Sequence, residues 1–454
     1  MKYKKSLFIF RRDLRLEDNT GLNKALEVSE QVICAFIFDK RQIENHPFKS
    51  LNGLEFLYNS LIELNDSLKE KSSRLYVWEG LPNIIVEQLI NTEKIEAVFL
   101  NKDYTPFSIK RDQEILETCE KFSVNFESYS DALLTTVGSV LKSDGKPYTI
   151  YTPFYKAASK LPTRLSTKLS KNNFYKNDIH SAITTEQAKI GLIHNPNLHV
   201  KGGRKEALKI LSHIKDFYNY DEKRNLPAVS GTTNLSAHLK FGVISAREVF
   251  KLVEENFGVT HTLIKELYWR DFFTTIGFYF PHVYTGSFHK KYDQIKWENN
   301  TEFFELWKNG KTGFPIVDAG MRQLNETGFM HNRVRMIVAS FLTKDLLIDW
   351  HWGEKYFAQK LVDYDPAVNN GNWQWAASTG CDAQPYFRIF NPWLQQERFD
   401  PECLYIKKWL PELNSLTAKA IHALKDSNGY LSYPAPIVQH SERKGLAEDL
   451  YRDC

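Results

Sequence analysis

Residues 5 to 130 alternate short apolar runs with amphipathic stretches, and this alternation constrains the fold more than any other feature of the chain. The runs "SLFIF", "VICAFIF", "RLYVW" and "EAVFL" read as strands, while "LEFLYNSLIELNDSLKE" and "LPNIIVEQLI" carry helical spacing. Apolar strands separated by helices pair in parallel with helices over both faces. Residues 1–130 are therefore expected to form an α/β domain with a doubly wound parallel sheet. Such sheets bind ligands at the carboxyl ends of their strands. The turn after the first strand reads "RRDLRLEDN" and not G-x-G-x-x-G. That argues against a nicotinamide dehydrogenase and leaves room for a ligand of another kind.

Periodicity fades after residue 130. Residues 131–203 gather Pro, Ser, Thr, Lys and Asn, as in "SDGKPYTIYTPFYKAASKLPTR" and "GLIHNPNLH", and are expected to be a long linker lying on the surface of both domains. From 204 to 454 helices dominate. "KEALKILSHIKDF" has helical spacing, "FPIVDAGMRQLNETG" opens near Pro315 and stops at Gly328, and "VRMIVASFLTKDLL" follows at once. The second half is expected to be an all-helical domain, and there is no internal repeat.

Composition sets the functional bounds. With 454 residues, 42% hydrophobic and 25% charged, the chain is an ordinary globular protein large enough for two domains. The net charge of +4 is only mildly basic, so any affinity for nucleic acid must come from a local patch. Phe, Trp and Tyr make up 14%, and nine of the ten Trp lie at or beyond Trp269. The five cysteines are scattered without a C-x-x-C pair, which fits free thiols in a reducing compartment and indicates neither a zinc site nor a disulfide framework. The apolar run near the amino end is too short for a signal peptide or a membrane span, so the expected location is the cytoplasm.

Four constellations carry chemistry. In "KELYWRDFF", Glu266, Trp269 and Arg270 share one helix face, as a binding surface or as an ordinary amphipathic helix with a core Trp. In "MHNRVRM", Asn332 and Met336 are i, i+4 neighbours while Arg333 and Arg335 point elsewhere. The pair suits a flat, partly polar ligand, and equally a helix start with a core methionine and solvated arginines. "DYDPAVNNGNWQW" reads as a pocket lining in which Trp373 and Trp375, about 200° apart on a helix, face different partners or different parts of the core. Thr232, Thr233, Asn234 and Ser236 precede a helical pattern, as a phosphate seat or as an N-cap.

Taken together, these motifs resemble the photolyase and cryptochrome flavoproteins, and more narrowly the class I cyclobutane pyrimidine dimer photolyases. "FIFRRDLRLEDN", "GTTNLSAHLKFG", "WRDFF", "GFPIVDAGMRQLNETGFMHNRVRM", "NNGNWQWAASTGCDAQPYFRIFNP" and "YPAPIVQH" follow the family order nearly end to end. The resemblance implies FAD in the helical domain and light-driven repair of pyrimidine dimers in ultraviolet-damaged DNA. By position, Tyr220, Thr232, Thr233, Asn234, Leu235 and Ser236 match the phosphate and ribityl contacts, Arg335 and Asp363 the ion pair beside the isoalloxazine, Asp365 its neighbour, and Asn369 the residue facing flavin N5.

Glu266, Asn332, Met336, Trp269 and Trp375 match the lesion pocket. Trp373, Trp350 and Trp297 match the electron relay, and Arg224, Arg270, Arg333 and Arg388 match positions near the DNA backbone. The family also implies a monomer, found at the nucleoid when bound to DNA. A second, light-harvesting chromophore can sit in the amino-terminal domain. Thr105 and Pro106 fall near where folate-binding members often place an acidic side chain, which argues against folate, and Arg11, Asp13 and Asp39 at the strand ends are candidate contacts. Two rival readings are repair of the (6-4) photoproduct, whose family sites carry paired histidines in the pocket helix, and a cryptochrome-like photoreceptor. Asn332 and Met336 argue against the first, and Asn369 against the second.

Overall fold

The computed structural model describes residues 1–454 apart from residues 45, 427–428 and 431–432. It divides into two compact units, one of Met1–His194, Val200–Lys215 and Asn234–Pro281, the other of Asn195–His199, Asp216–Thr233 and His282–Cys454. This division interleaves along the chain, where sequence order alone suggests three successive segments.

In the first unit, β1 (Tyr3–Phe10), β2 (Ser29–Asp39), β3 (Tyr76–Gly80), β4 (Ala97–Asn101) and β5 (Asn125–Tyr129) form one sheet in the order β3-β2-β1-β4-β5. Every pair is parallel, with Leu7 opposite Ile33 of β2 and Val98 of β4. This is the doubly wound sheet that the alternation implies. Leu7 and Phe8, whose side chains point to opposite faces, are both fully buried, which is why the central strands read as continuous apolar runs. The fifth strand, "NFESY", escapes sequence reading because it lies at the sheet edge, where no residue is fully buried and no apolar run is needed.

Helices Thr20–Val28, Leu51–Lys69, Pro82–Glu93 and Pro106–Lys121 lie between the strands. Their starts are encoded locally: the Ser50 hydroxyl accepts from Gly53 N, Pro82 opens its helix, and Thr105 accepts from Ser108 N. The stretch expected to lie over both domains belongs, as far as residue 194, to this unit. Asp131 meets two fully buried arginines, Arg15 (2.5 Å) and Arg247 (2.8 Å), and Arg247 also pairs with Asp18 (2.9 Å). Further along, Val32 N donates to Asn173 O and Tyr175 N to Val32 O, stitching the stretch to β2.

The second unit is helical. Helices Pro315–Thr327, Asn332–Ser340, Trp350–Lys360 and Pro366–Ala376 surround a core that includes Trp307, Trp350 and Trp373. The first starts at a proline and ends against Gly328 in the left-handed region, φ 66°. The next does not run to Leu347 as the periodicity suggests. After Ser340 the backbone widens into a π-helical turn, Phe341–Asp345. The Thr343 hydroxyl donates to the carbonyls of Ala339 (3.0 Å) and Ser340 (3.3 Å), competing for the acceptors that regular winding would use. All five cysteines are free, and among the described residues no helix is long and apolar enough to cross a membrane and no cluster could hold a metal ion.

Candidate active site

In the first unit the helix Thr262–Tyr279 carries Glu266, Trp269 and Arg270. Trp269 is not simply a core residue. One face of its indole stacks on Tyr151, ring centroids 3.5 Å apart and planes 7° apart, while Phe272 and Phe273 pack at 5.7 and 5.4 Å. Tyr151 is held in place by its hydroxyl, which donates to Lys265 O at 2.6 Å. Sequence reading did not single out Tyr151, because the contact joins residues 118 positions apart. Arg270 also ties the chain together locally. Its guanidinium donates to Ala132 O (2.6 Å) and Leu239 O (3.1 Å), so it anchors two chain segments. Next to it the carboxylate of Asp271, pushed up to about 6 by burial, receives Thr135 N, Thr135 Oγ1 and Leu134 N.

The second unit gathers most of the other candidates. His331 caps Asn332–Ser340 by accepting from Arg333 N at 3.2 Å. Burial, with Arg335 and Arg333 nearby, pushes its imidazole down to about 4, so it is neutral at physiological pH. Beyond the cap, Asn332 Nδ2 donates to Met336 Sδ at 3.9 Å, so amide and thioether lie together on the outward face. The core methionines here are Met321 and Met330, not Met336.

The neighbouring arginines are not merely solvated. Arg335 Nη2 pairs with Asp363 Oδ2 at 2.9 Å and its Nε donates to Met330 O at 2.7 Å, joining residues that only the family resemblance puts side by side. Arg333 donates to Asn225 Oδ1 (2.8 Å) and lies over the Phe399 ring (4.4 Å). Burial, then Arg224 and Arg398, lowers the Arg333 pKa, and these three cations form a positive cluster in which Arg398 was not foreseen.

The segment from Asp363 to Ala376 is a second focus. Asp365 caps the helix Pro366–Ala376, accepting from Ala367 N (3.1 Å) and Val368 N (3.3 Å). Asn369 Nδ2 reaches Glu354 O (3.4 Å), and Asn370 Nδ2 donates to the Glu354 carboxylate (3.1 Å) and to Val283 O (2.9 Å). Glu354 is buried, and burial pushes its carboxyl up to about 7 despite the Asn370 hydrogen bond and His351. No local pattern marks it, since only folding sets it against the two asparagines.

Trp373 and Trp375 part as their spacing demands. Trp373 is 2% exposed, edge-on to Phe357 (4.9 Å) and Trp307 (6.4 Å), whereas Trp375 is half-buried beside Phe390 (6.5 Å). Trp350 is in the same core, and Trp297 packs against it from a half-exposed position.

Thr232 and Thr233 end one segment of the second unit, and Asn234, Leu235 and Ser236 open the helix Ser236–Phe241 of the first. The cap position falls to Leu235, which makes no side-chain cap hydrogen bond, so capping does not explain the polar cluster. Asn234 holds φ at +55°, in the left-handed region that Asn enters more readily than most residues. Tyr220 is buried, with the Arg224 guanidinium 5.7 Å from its ring, and Arg388 is exposed on the loop before Pro392. Within the second unit, the hydroxyls of Thr232 and Thr233, the amide of Asn369 and the Arg335–Asp363 pair are groups of the kind that hydrogen-bond a flavin dinucleotide.

At the strand ends the candidates are engaged with neighbouring groups of the same unit. Arg11 pairs with Asp112 and donates to Asn101 O, Asp13 accepts from Asn101 Nδ2 at 2.5 Å, and Asp39 pairs with Arg41 at 2.8 Å.

The chain matches the family model described as DNA photolyase over residues 6–171, and that described as the FAD binding domain of DNA photolyase over residues 263–453. It is 36% identical to a deoxyribodipyrimidine photo-lyase of Alkalihalophilus pseudofirmus, over 98% of this chain and 97% of that protein. Its fold matches a Sulfolobus tokodaii archaeal photolyase, described with two FAD molecules that imply a novel light-harvesting cofactor in that protein, with a TM-score of 0.91 and 45% identity over 99% of this chain and 100% of that one. A class III photolyase of Agrobacterium tumefaciens gives a TM-score of 0.92 at 34% identity, covering 100% and 98%. With two family models in order, relatives above 30% identity along nearly the whole length and a common fold, the chain belongs to the photolyase and cryptochrome family.

Proposed function

We propose that the chain uses light to reverse cyclobutane pyrimidine dimers in DNA, with FAD as its cofactor. The observation that carries this choice is the pairing of Asn332 and Met336 on one helix face, with the adjacent His331 consumed as a neutral helix cap. A site for the (6-4) photoproduct would need histidines able to act there, and Asn369 stands where signalling relatives often carry Asp or Cys.

Tyr220, Thr232, Thr233, Asn234, Leu235 and Ser236 would hold the phosphates and ribityl chain, and Arg335 with Asp363, Asp365 and Asn369 would border the ring. Bound and reduced, FAD supplies the electron that near-ultraviolet or blue light drives onto the dimer. Glu266 and Asn332 address the polar edges of the pyrimidines, and Glu266 stabilises the charge that develops there. Met336, Trp269 and Trp375 offer soft and aromatic surfaces that replace the stacking lost when bases leave the duplex, as in other base-extruding enzymes, photolyases among them. Trp297, Trp350 and Trp373 serve as the relay, an assignment supported by one half-exposed and two buried indoles in or against one core. Arg224, Arg270, Arg333 and Arg388 position the DNA backbone. The likeness to the archaeal relative supports a second FAD, as antenna, in the first unit.

The test is substrate choice. After reconstitution with FAD and reduction, illumination should reverse cyclobutane dimers in an oligonucleotide and leave the (6-4) photoproduct intact. Reversal of the (6-4) product alone would overturn the assignment.

A further inference from the structure

Residues 145–177 contain seven Lys or Arg and no Asp or Glu, in a chain whose net charge is only +4. Removing this stretch would leave the remainder acidic, so it is a local basic run of the kind that nucleic-acid binding uses. The stretch begins against the Glu266 helix. Within the first unit, the helix Tyr151–Ala158 packs on Thr262–Tyr279 through Tyr151 on Trp269 and Phe154 on Phe272 (5.4 Å). It then follows the helix Thr20–Val28. Arg164 reaches Thr20 Oγ1 (3.4 Å), Asp18 N donates to Thr167 O (2.7 Å), Asn23 Nδ2 to Lys168 O (3.1 Å), and Asn173 Nδ2 to Leu26 O (3.1 Å).

The backbone is thus fixed while the cations point outward. Lys156, Lys160 and Lys168 are exposed, and among the described residues none makes an ion pair. Ammonium groups held on a fixed backbone without carboxylates repel one another, and a polyanion relieves that repulsion. The exposed large apolar side chains of the stretch, Ile150 (51%), Leu161 (38%) and Leu165 (80%), are spread over sixteen positions and make no contiguous membrane-inserting face.

We propose that Lys156, Lys160 and Lys168 form an arm that contacts the phosphates of duplex DNA beyond the lesion, extending the footprint on one side. This rests on the reading of the chain as a dimer-repair enzyme. From Lys156 to Lys168 the chain can span at most about 40 Å, or about 12 base pairs of B-DNA.

The test compares the protein with a K156Q/K160Q/K168Q variant on two dimer-containing duplexes, one reaching about 15 base pairs past the dimer on each side and one trimmed to about 5. On the long duplex the slope of log binding constant against log salt should fall in magnitude by about 0.9 for each lysine in contact, and on the trimmed duplex it should not change. A K156R/K160R/K168R variant should keep the slope. Single-turnover repair of bound dimer should be equal in all three proteins. Equal slopes for the glutamine variant and the parent on the long duplex, or equal losses on both duplexes, would overturn the arm. Failure of the parent to repair either duplex would instead overturn the repair reading.

Discussion

Glu354 is a buried carboxyl that accepts a hydrogen bond from Asn370 Nδ2 and lies beside Asn369, the residue proposed for the flavin edge. Its folded pKa is raised from 4.5 to about 7, chiefly by burial, so its contribution is fully present below the unfolded value and lost as pH rises through about 7. The loss amounts to up to about 3 kcal/mol. Urea melts across that window should show the parent losing stability relative to Glu354→Gln, and parallel curves would contradict the assignment. Glu266→Ala should slow repair by about tenfold or more while leaving FAD bound, measured by single-turnover repair alongside flavin absorbance.

How much of the site the sequence holds depends on distance along the chain. Asn332 with Met336 is legible because i, i+4 is local. Arg335 with Asp363, 28 positions apart, is reached only through the family resemblance, and Glu354 and Tyr151 come from packing that no local pattern encodes.

Among the elements, Trp350–Lys360 and Pro366–Ala376 show how a helix pair seats an indole. A Cβ added at Gly353 would lie 2.1 Å from Trp373 Cη2 and 2.5 Å from Leu342 Cδ2, so only glycine lets the ring pass. Gly353→Ala should cost about 1–3 kcal/mol by overpacking and displace Trp373, read as a lower urea midpoint together with slower photoreduction. Trp373→Phe should slow photoreduction yet spare repair by protein already reduced, and normal photoreduction would remove Trp373 from the relay. Elements with strong periodicity and encoded ends, such as Pro315–Thr327, are legible from sequence. The edge strand β5 and the π-helical turn at Phe341–Asp345 are not, because one lacks an apolar run and the other departs from helical winding through the side chain of Thr343.

On the scale of the whole molecule, the amino-terminal sheet and the helical second half follow from composition and alternation, whereas the interleaving of the two units does not. The first unit takes Arg247 and the helix Thr262–Tyr279 from beyond residue 204. A fragment of residues 1–203 should therefore fail to unfold cooperatively, because it lacks the guanidinium that meets Asp18 and Asp131, and breaking such a buried pair costs about 3–5 kcal/mol. A sharp two-state urea transition by that fragment would contradict the division.

The central claim, repair of cyclobutane dimers, is tested most directly by illuminating the reduced, FAD-loaded protein with dimer-containing oligothymidylate and following thymine absorbance. The account predicts recovery of that absorbance only in the light and only with reduced cofactor. No recovery, with FAD bound and reduced, would contradict it.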